Sequence, residues 1–148
     1  MASPRKEDTL RRILYELQLM EGTANVFQQR MQILTNAQTE LRVSQQSLND
    51  LKDVKQDTPI LIPVGGAAFI HAKTAPLDKV IVGVGADVSV EMDYAKAIED
   101  VNKRLEEVEK TLTAVDQQLG QVLAQMQSHQ EAGNRLSAEL QGEGAGVR

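Results

Sequence analysis

The chain has 148 residues, a formal net charge of -5, two Tyr, two Phe and no Trp. This acidic balance and scarcity of rings argue against nucleic-acid binding, which uses basic surfaces and stacking side chains. The absence of cysteine excludes disulfides, zinc–thiolate sites and thiol nucleophiles. No apolar run approaches the ~18 residues of a membrane span, and the polar N-terminus does not resemble a signal peptide. We therefore expect a soluble, cytoplasmic protein that does not contact membranes.

The N-terminal region, residues 1–57, is predicted to be one long helix with a coiled-coil seam. Ile13, Met20, Phe27, Leu34, Leu41 and Leu48 repeat every seven residues. Leu10, Leu17, Ala24 and Met31 form the companion series, which becomes polar at Gln38 and Gln45. The two glutamines weaken the seam locally and can fix its register. Ser3-Pro4 fits a cap followed by proline at the first helical position, and Thr58-Pro59 ends the element because the residue before proline is disfavoured in helical geometry. The span matched to the second helix is 8–55.

The C-terminal region, residues 93–141, carries the clearer pattern. Apolar residues recur at alternating steps of three and four from Ile98 to Met126, which predicts a helix over 93–140. The same register continues through His129 and Gly133 to Leu136 and Leu140. Residues 142–148 are rich in glycine and are predicted to be a flexible tail.

Both predicted helices span 48 residues, 8–55 and 93–140, and a compact insert joins them. Equal lengths favour one chain that folds back into an antiparallel pair. A parallel homodimer of each helix is the competing arrangement. The second helix places Leu at a and Val at d, the reverse of the usual preference in two-stranded parallel coiled coils, which disfavours that alternative mildly. In the antiparallel arrangement Gly133 lies opposite Ile13 and loosens the packing there.

The middle region, residues 58–92, has no helical period and is predicted to form two consecutive β-hairpins. Four short apolar runs, around residues 60–62, 68–72, 79–84 and 88–92, are separated by turn residues. Pro59 and Pro63 keep the first strand at an edge or a bulge, because proline cannot donate to a ladder. So small an apolar unit cannot cover its own faces, and we expect strands of other chains to complete it.

Gly83-Val84-Gly85 after an apolar strand raises the possibility of a dinucleotide-binding loop. That fingerprint requires a third glycine where this chain has Val88, and a helix where the sequence alternates as a strand. The glycines are better interpreted as turn residues that need positive φ. No cluster of nucleophile, base or metal ligands is recognisable either. We therefore predict no enzyme activity, no catalytic residue, no cofactor and no metal site.

The order of long helix, two glycine-rich hairpins and long helix resembles the alpha-class subunit of archaeal prefoldin. The segments LIPVGGAAFIHA, residues 61–72, and VIVGVGADVSVEMDYAKAIE, residues 80–99, are similar to that family's two hairpins. Beta-class subunits carry one hairpin, so two hairpins favour the alpha class. Gly65-Gly66-Ala67-Ala68 departs from the family's more frequent Gly-small-Gly-Ser order.

The resemblance implies an α+β fold, in which a long antiparallel two-helix coiled coil is joined by two β-hairpins that form part of an oligomeric β-barrel. It implies an ATP-independent holdase chaperone assembled from two alpha and four beta subunits. Such an assembly holds unfolded client proteins at its coiled-coil tips and delivers them to a group II chaperonin. The alternative is a coiled-coil structural or adaptor protein that binds a single folded partner.

Two sets of candidate residues follow. The client-binding tip would combine the start of the first helix with the end of the second, and Leu14, which lies off the seam, is the strongest candidate for exposed apolar surface. The tip set is Leu10, Ile13, Leu14, Leu17, Leu136 and Leu140. The other tip residues lie on the seam, where they also close the coil. The oligomer interface would be formed by Ile60, Ile62, Val64, Phe69, Ile81, Val82, Val84, Val88 and Val90.

Overall fold

The computed structural model describes residues 4–146 as two long helices and four strands. In chain order they are α1 (Pro4–Leu51), β1 (Pro59–Gly65), β2 (Ala68–Lys73), β3 (Lys79–Gly85), β4 (Val88–Asp93) and α2 (Tyr94–Ala145). β1 pairs with β2 and β3 pairs with β4, each antiparallel, in two separate two-stranded sheets. The predicted α+β order of helix, two hairpins and helix is confirmed.

The chain divides into two compact units, of which the first joins α1 up to Thr35 with α2 from Lys110 onwards. Side chains at the predicted seam positions of this unit are buried or half-buried, and Ala24 and Val115 are buried most deeply. The N-terminal part of α1 lies beside the C-terminal part of α2, since Lys6 pairs with Glu139. The helices of this unit therefore run antiparallel, as the equal lengths predicted.

The second unit, Asn36–Glu109, contains both hairpins and the adjoining helical segments. Ala97, Val101 and Leu105 of α2 are its buried apolar residues. The polar seam position Gln45 donates a hydrogen bond from Nε2 to Asn102 Oδ1 at 2.7 Å. The other one, Gln38, donates to Glu109 Oε1 at 3.3 Å. Each glutamine thus has a partner on the facing helix, which ties this part of the seam to one register.

α1 begins at Pro4, where the sequence placed proline at the first helical position, and it ends at Leu51, four residues before the predicted 55. After Leu51 the chain leaves the helix in a turn closed by the Val54 N–H, which donates a hydrogen bond to Leu51 O at 3.1 Å. The Lys55 carbonyl beyond this turn contacts the first hairpin. It accepts hydrogen bonds from the hydroxyls of Thr58, at 2.6 Å, and of Thr74, at 2.8 Å. Thr74 is buried, and its hydroxyl also accepts the Thr58 N–H at 3.0 Å. This cluster fixes the chain where it enters and leaves the first hairpin.

The predicted flexible tail at 142–148 is wrong for its first four residues, because α2 continues through Ala145. Lys6 of α1 donates a hydrogen bond to Glu143 in this last turn of α2 and also pairs with Glu139. The hydrogen bond to Glu143, followed by the one to Glu139, raises the pKa of Lys6 above its usual value. The last residues of the predicted tail, 147–148, lie outside the described residues.

Tyr94, the first residue of α2, closes the end of α1. Its hydroxyl donates a hydrogen bond to the carbonyl of Leu48, one of the last four carbonyls of α1, which have no partner within the helix. Its backbone N–H donates to Asp78 O at 3.2 Å, which ties the start of α2 to the residue that precedes β3. Burial raises the pKa of the Tyr94 phenol above 10.0, so the neutral, donating form is favoured in the folded chain.

Replacing Tyr94 with Phe should lower the free energy of unfolding at pH 8 by about 1 kcal/mol, because the Leu48 carbonyl loses its donor. The difference should shrink above pH 10. Since the folded pKa is raised, the wild type is stabilised fully below the unfolded pKa and loses that stabilisation as the pH rises through the folded value. Urea unfolding at both pH values checks this. Tyr15→Phe, at an exposed tyrosine, is the control; an equal loss in both variants would contradict the capping role.

Candidate functional site

The first hairpin presents apolar side chains on both of its faces. Pairing of Pro63 with Phe69 and of Ile62 with Ile70 places these two pairs on opposite faces of the ladder. Every residue of β1 and β2 is exposed except Ala72, which is half-buried. Two strands have no second layer of their own, so this hairpin is uncovered within the described chain.

One face of the second hairpin is partly covered by the helices of its own unit. Val80 and Val82 of β3 are half-buried and line a groove of about 430 Å³ together with Leu41, Leu48 and Val101 of the helices. The opposite face carries Ile81, which is 74 % exposed. This hairpin is therefore apolar outwards as well as inwards.

Arg104 of α2 fixes the second hairpin to the helix. Its Nη1 donates a hydrogen bond to Gly83 O at 3.0 Å, and its Nη2 lies 2.9 Å from Asp100 Oδ2 one turn earlier. The guanidinium thus occupies a backbone acceptor of β3 and is itself oriented by a carboxylate of its own helix.

The two hairpins have the same backbone conformation at their turns. Gly66 and Ala67 have φ of 55° and 59°, and Ala86 and Asp87 have φ of 49° and 58°, the signs of a type I′ turn. The preceding Gly65 and Gly85, at φ of 99° and 106°, follow an irregularity in each ladder. Gly85 thus has the positive φ that the sequence predicted.

The interpretation of Gly83 as a turn glycine is wrong. Gly83 is a regular β3 residue paired with Ser89, and its φ is not among the positive ones of the described residues. It corresponds to Pro63 of the first hairpin, which occupies the same place before the irregularity. Its role here is to present the carbonyl that Arg104 binds.

Of the predicted interface residues, all but one are exposed. The exposed ones are Ile60, Ile62, Val64, Phe69, Ile81, Val84, Val88 and Val90. Val82 differs because strand alternation turns it, with Val80, towards the groove beside the helices. The sequence analysis missed Leu61 and Ile70, which are exposed too. Counting back from the turn alone would pair Ile62 with His71, and the irregularity between Pro63 and Gly65 shifts the ladder by one residue so that Ile62 faces Ile70.

The predicted tip residues lie in the unit that contains both the start of α1 and the end of α2. Leu10, Ile13, Leu17, Leu136 and Leu140 are half-buried on the seam. Leu14 is 56 % exposed, as its position off the seam predicted. The structure thus provides five half-buried aliphatic side chains on the two helices and one leucine that is largely open to solvent.

Gly133 opens a shallow groove in this packing. Its position facing Ile13 is confirmed: a Cβ built on Gly133 would lie 3.4 Å from Ile13 Cγ2 and 3.9 Å from Leu10 Cδ1. A groove of about 190 Å³ lies here, and its lining combines leucines with neutral polar residues. It is lined by Leu10, Leu14, Leu17, Gln130, Gly133, Asn134 and Ser137. The groove could receive an uncharged apolar side chain.

His129, the polar seam position, is held by two hydrogen-bond contacts. Its Nε2 lies 2.8 Å from Glu16 Oε2 of α1, and its Nδ1 lies 2.9 Å from Gln125 O of its own helix. It therefore bridges the two helices beside the groove. Among residues 4–146 no group of three or more His, Asp or Glu side chains is arranged to hold a metal ion. In the same range no helix is long and apolar enough to cross a membrane.

Comparison with known proteins decides the family. The family described as Prefoldin subunit matches residues 20–139 of the chain. The chain belongs to the prefoldin family. Prefoldins are chaperones and not enzymes, so membership indicates a chaperone-type function.

Among similar prefoldins is the alpha subunit of Pyrococcus horikoshii, 30 % identical over 70 % of this chain and 70 % of that protein. The alpha subunit of Methanococcus aeolicus is 36 % identical over 65 % of each chain. The resemblance to archaeal alpha subunits is thus confirmed. A filamentous prefoldin of Methanocaldococcus jannaschii superposes with a TM-score of 0.64 at 22 % identity, covering 77 % of this chain and 94 % of that chain, which shows the same fold.

Gly133→Ala should raise the free energy of unfolding by about 1 kcal/mol, because alanine is the better helix former and its methyl group meets Ile13 at contact distance. Gly120→Ala is the matched control. It lies in the same helix with nothing within 4 Å of the new Cβ and gains the helix propensity alone. Urea unfolding and amide exchange of residues around 133 check both. Destabilisation by Gly133→Ala alone would contradict the loose packing described above.

Proposed function

We propose that this chain is the alpha subunit of a hetero-oligomeric, ATP-independent holdase. Its hairpins pair with those of beta-class prefoldin subunits, two alpha with four beta, in a closed β-barrel. Its helix ends capture unfolded client proteins and pass them to a group II chaperonin. Cytoplasmic localisation remains a prediction from the sequence.

The uncovered apolar hairpins support the assembly part of this proposal. Leu61 and Phe69 are exposed on a two-stranded sheet whose outer backbone edges are unpaired within the described chain. Such edges accept further strands, and apolar faces of this kind are stable only when another layer covers them. A barrel built from several hairpins satisfies both requirements at once.

The observation that carries the client-binding part is the groove beside Gly133. Leu10, Leu14 and Leu17 line it together with the uncharged polar side chains of Gln130, Asn134 and Ser137. Unfolded chains expose apolar side chains next to neutral backbone amides, which is the chemistry this groove complements. No nucleotide is needed, because capture and release depend on burial of apolar surface alone.

Client capture is tested by diluting a chemically unfolded protein into the chain co-assembled with a beta-class subunit and following light scattering. Leu14→Ser should weaken capture roughly fivefold, since it removes about 1 kcal/mol of apolar burial. The triple change of Leu10, Leu14 and Leu136 to Ser should abolish suppression while the hexamer persists. Leu123→Ser, an exposed leucine away from the groove, is the control.

Comparison of the two glycine-to-alanine variants gives a second test of client capture at the groove. Gly133→Ala narrows the groove and should reduce suppression, whereas Gly120→Ala should leave it unchanged at a similar gain in helix propensity. Full suppression by an intact Leu14→Ser, Leu10→Ser, Leu136→Ser assembly would contradict capture at this site. Failure of the wild type to suppress, or to co-assemble, would favour the adaptor that binds one folded partner.

A further inference from the structure

A second apolar row runs along α1, separate from the seam. Leu19, Val26 and Ile33 follow one another at seven-residue spacing and are 55 %, 61 % and 68 % exposed. Tyr15, one turn before Leu19, is exposed as well. On α2 the only large apolar residue of comparable exposure in the described range is Leu123. The row is therefore a feature of α1 and not of coiled-coil surfaces in general.

The spacing of the row selects the kind of partner that fits it. Seven residues of helix advance by about 10.5 Å, and a helix of the same supercoil repeats its apolar side chains at that interval. An extended strand presents side chains on one face about every 6.6 Å and falls out of register with the row. A helix is thus the better match.

The charges at the two ends of the row select the partner and its direction. The same seven-residue count along the α1 sequence reaches Arg12 before Leu19 and Glu40 after Ile33. The row therefore has the same apolar spacing in both directions along the helix, with a positive charge at one end and a negative charge at the other. If a second copy lies antiparallel with Val26 facing Val26, Leu19 faces Ile33 and Arg12 faces Glu40. In a parallel copy in register, Arg12 would face Arg12.

We propose that α1 binds α1 of a second copy of this chain, antiparallel, about a two-fold axis at Val26. The Leu19–Ile33 contact and the Arg12–Glu40 pair each form twice by symmetry, so the surface is self-complementary. Arg12 is exposed, and its Nε lies 3.7 Å from Glu16 Oε1 of its own helix, which is longer than a direct hydrogen bond. Gly22 beside the row would have nothing within 4 Å of an added Cβ and leaves room for close approach. This contact does not depend on client capture.

Single-cysteine variants test the geometry, because the chain has no cysteine of its own. Val26→Cys should form a disulfide-linked dimer under mild oxidation. Leu19→Cys and Ile33→Cys should not do so separately, because each would be about 21 Å from its symmetry mate, far beyond disulfide reach. Mixed together, the two should form a dimer. The proposal would be overturned if Leu19→Cys and Ile33→Cys each formed disulfide-linked dimers alone and mixing them added none. It would also be overturned if the mixture formed no disulfide-linked dimer.

Charge reversal tests the pairing without cysteine. Arg12→Glu or Glu40→Arg should each raise the dimer dissociation constant roughly tenfold in sedimentation at low salt, and the double reversal should restore it. Arg11→Glu, at the neighbouring arginine off the row, is the matched control and should have no effect. Leu123→Cys, on α2, should form no disulfide-linked dimer on oxidation. Equal cross-linking of Leu123→Cys, or no rescue by the double reversal, would contradict the contact.

Discussion

A two-stranded sheet has two faces and two outer edges, and the described part of this chain lacks the layers needed to cover them. The first hairpin exposes Phe69 on one face and Ile70 on the other, and the second exposes Ile81 on the face turned away from the helices. These uncovered faces and edges need layers and strands from other molecules. The hairpins have to be shaped and oriented for strands supplied by other molecules.

Three local devices give the hairpins that shape. Each ladder contains an irregularity before a glycine at φ near 100° and then turns through two residues of positive φ. Thr74 ties the first hairpin to the chain segment that follows α1. Arg104 binds the backbone of the second hairpin at Gly83. The two hairpins are thus held by polar contacts to the segment that follows α1 and to α2.

The helical seam shows a gradation between tight and loose packing. Val101, Leu105 and Val115 are buried, and Gln45 has a polar partner that fixes its register. Near the start of α1, by contrast, Gly133 faces Ile13 and leaves a groove, and His129 replaces an apolar seam residue. Looser packing lowers the stability of the fold. Here the loosely packed region is the one whose leucines are accessible to solvent.

Much of this architecture could be predicted from the sequence, because the seam and the hairpins follow simple periods. The seven-residue repeat found the buried positions of α1, and alternation with turn residues found all four strands. What escaped depends on long-range contacts. Thr74 donates to Lys55 O, Lys6 pairs with Glu139, and Arg104 donates to Gly83 O, and each of these contacts joins residues that are far apart in the sequence. The exposed row at Val26 escaped because a stronger repeat on the same helix dominates the pattern.

The dependence of the hairpins on other chains is tested most directly by amide hydrogen exchange of the isolated chain and of its complex with a beta-class subunit. In the isolated chain, the amides of β1 to β4 should exchange far faster than those of the helices around Val101 and Val115. In the complex, the strand amides should become protected while those helical amides change little. Strand amides already fully protected in the isolated monomer, with no change in the complex, would contradict the account.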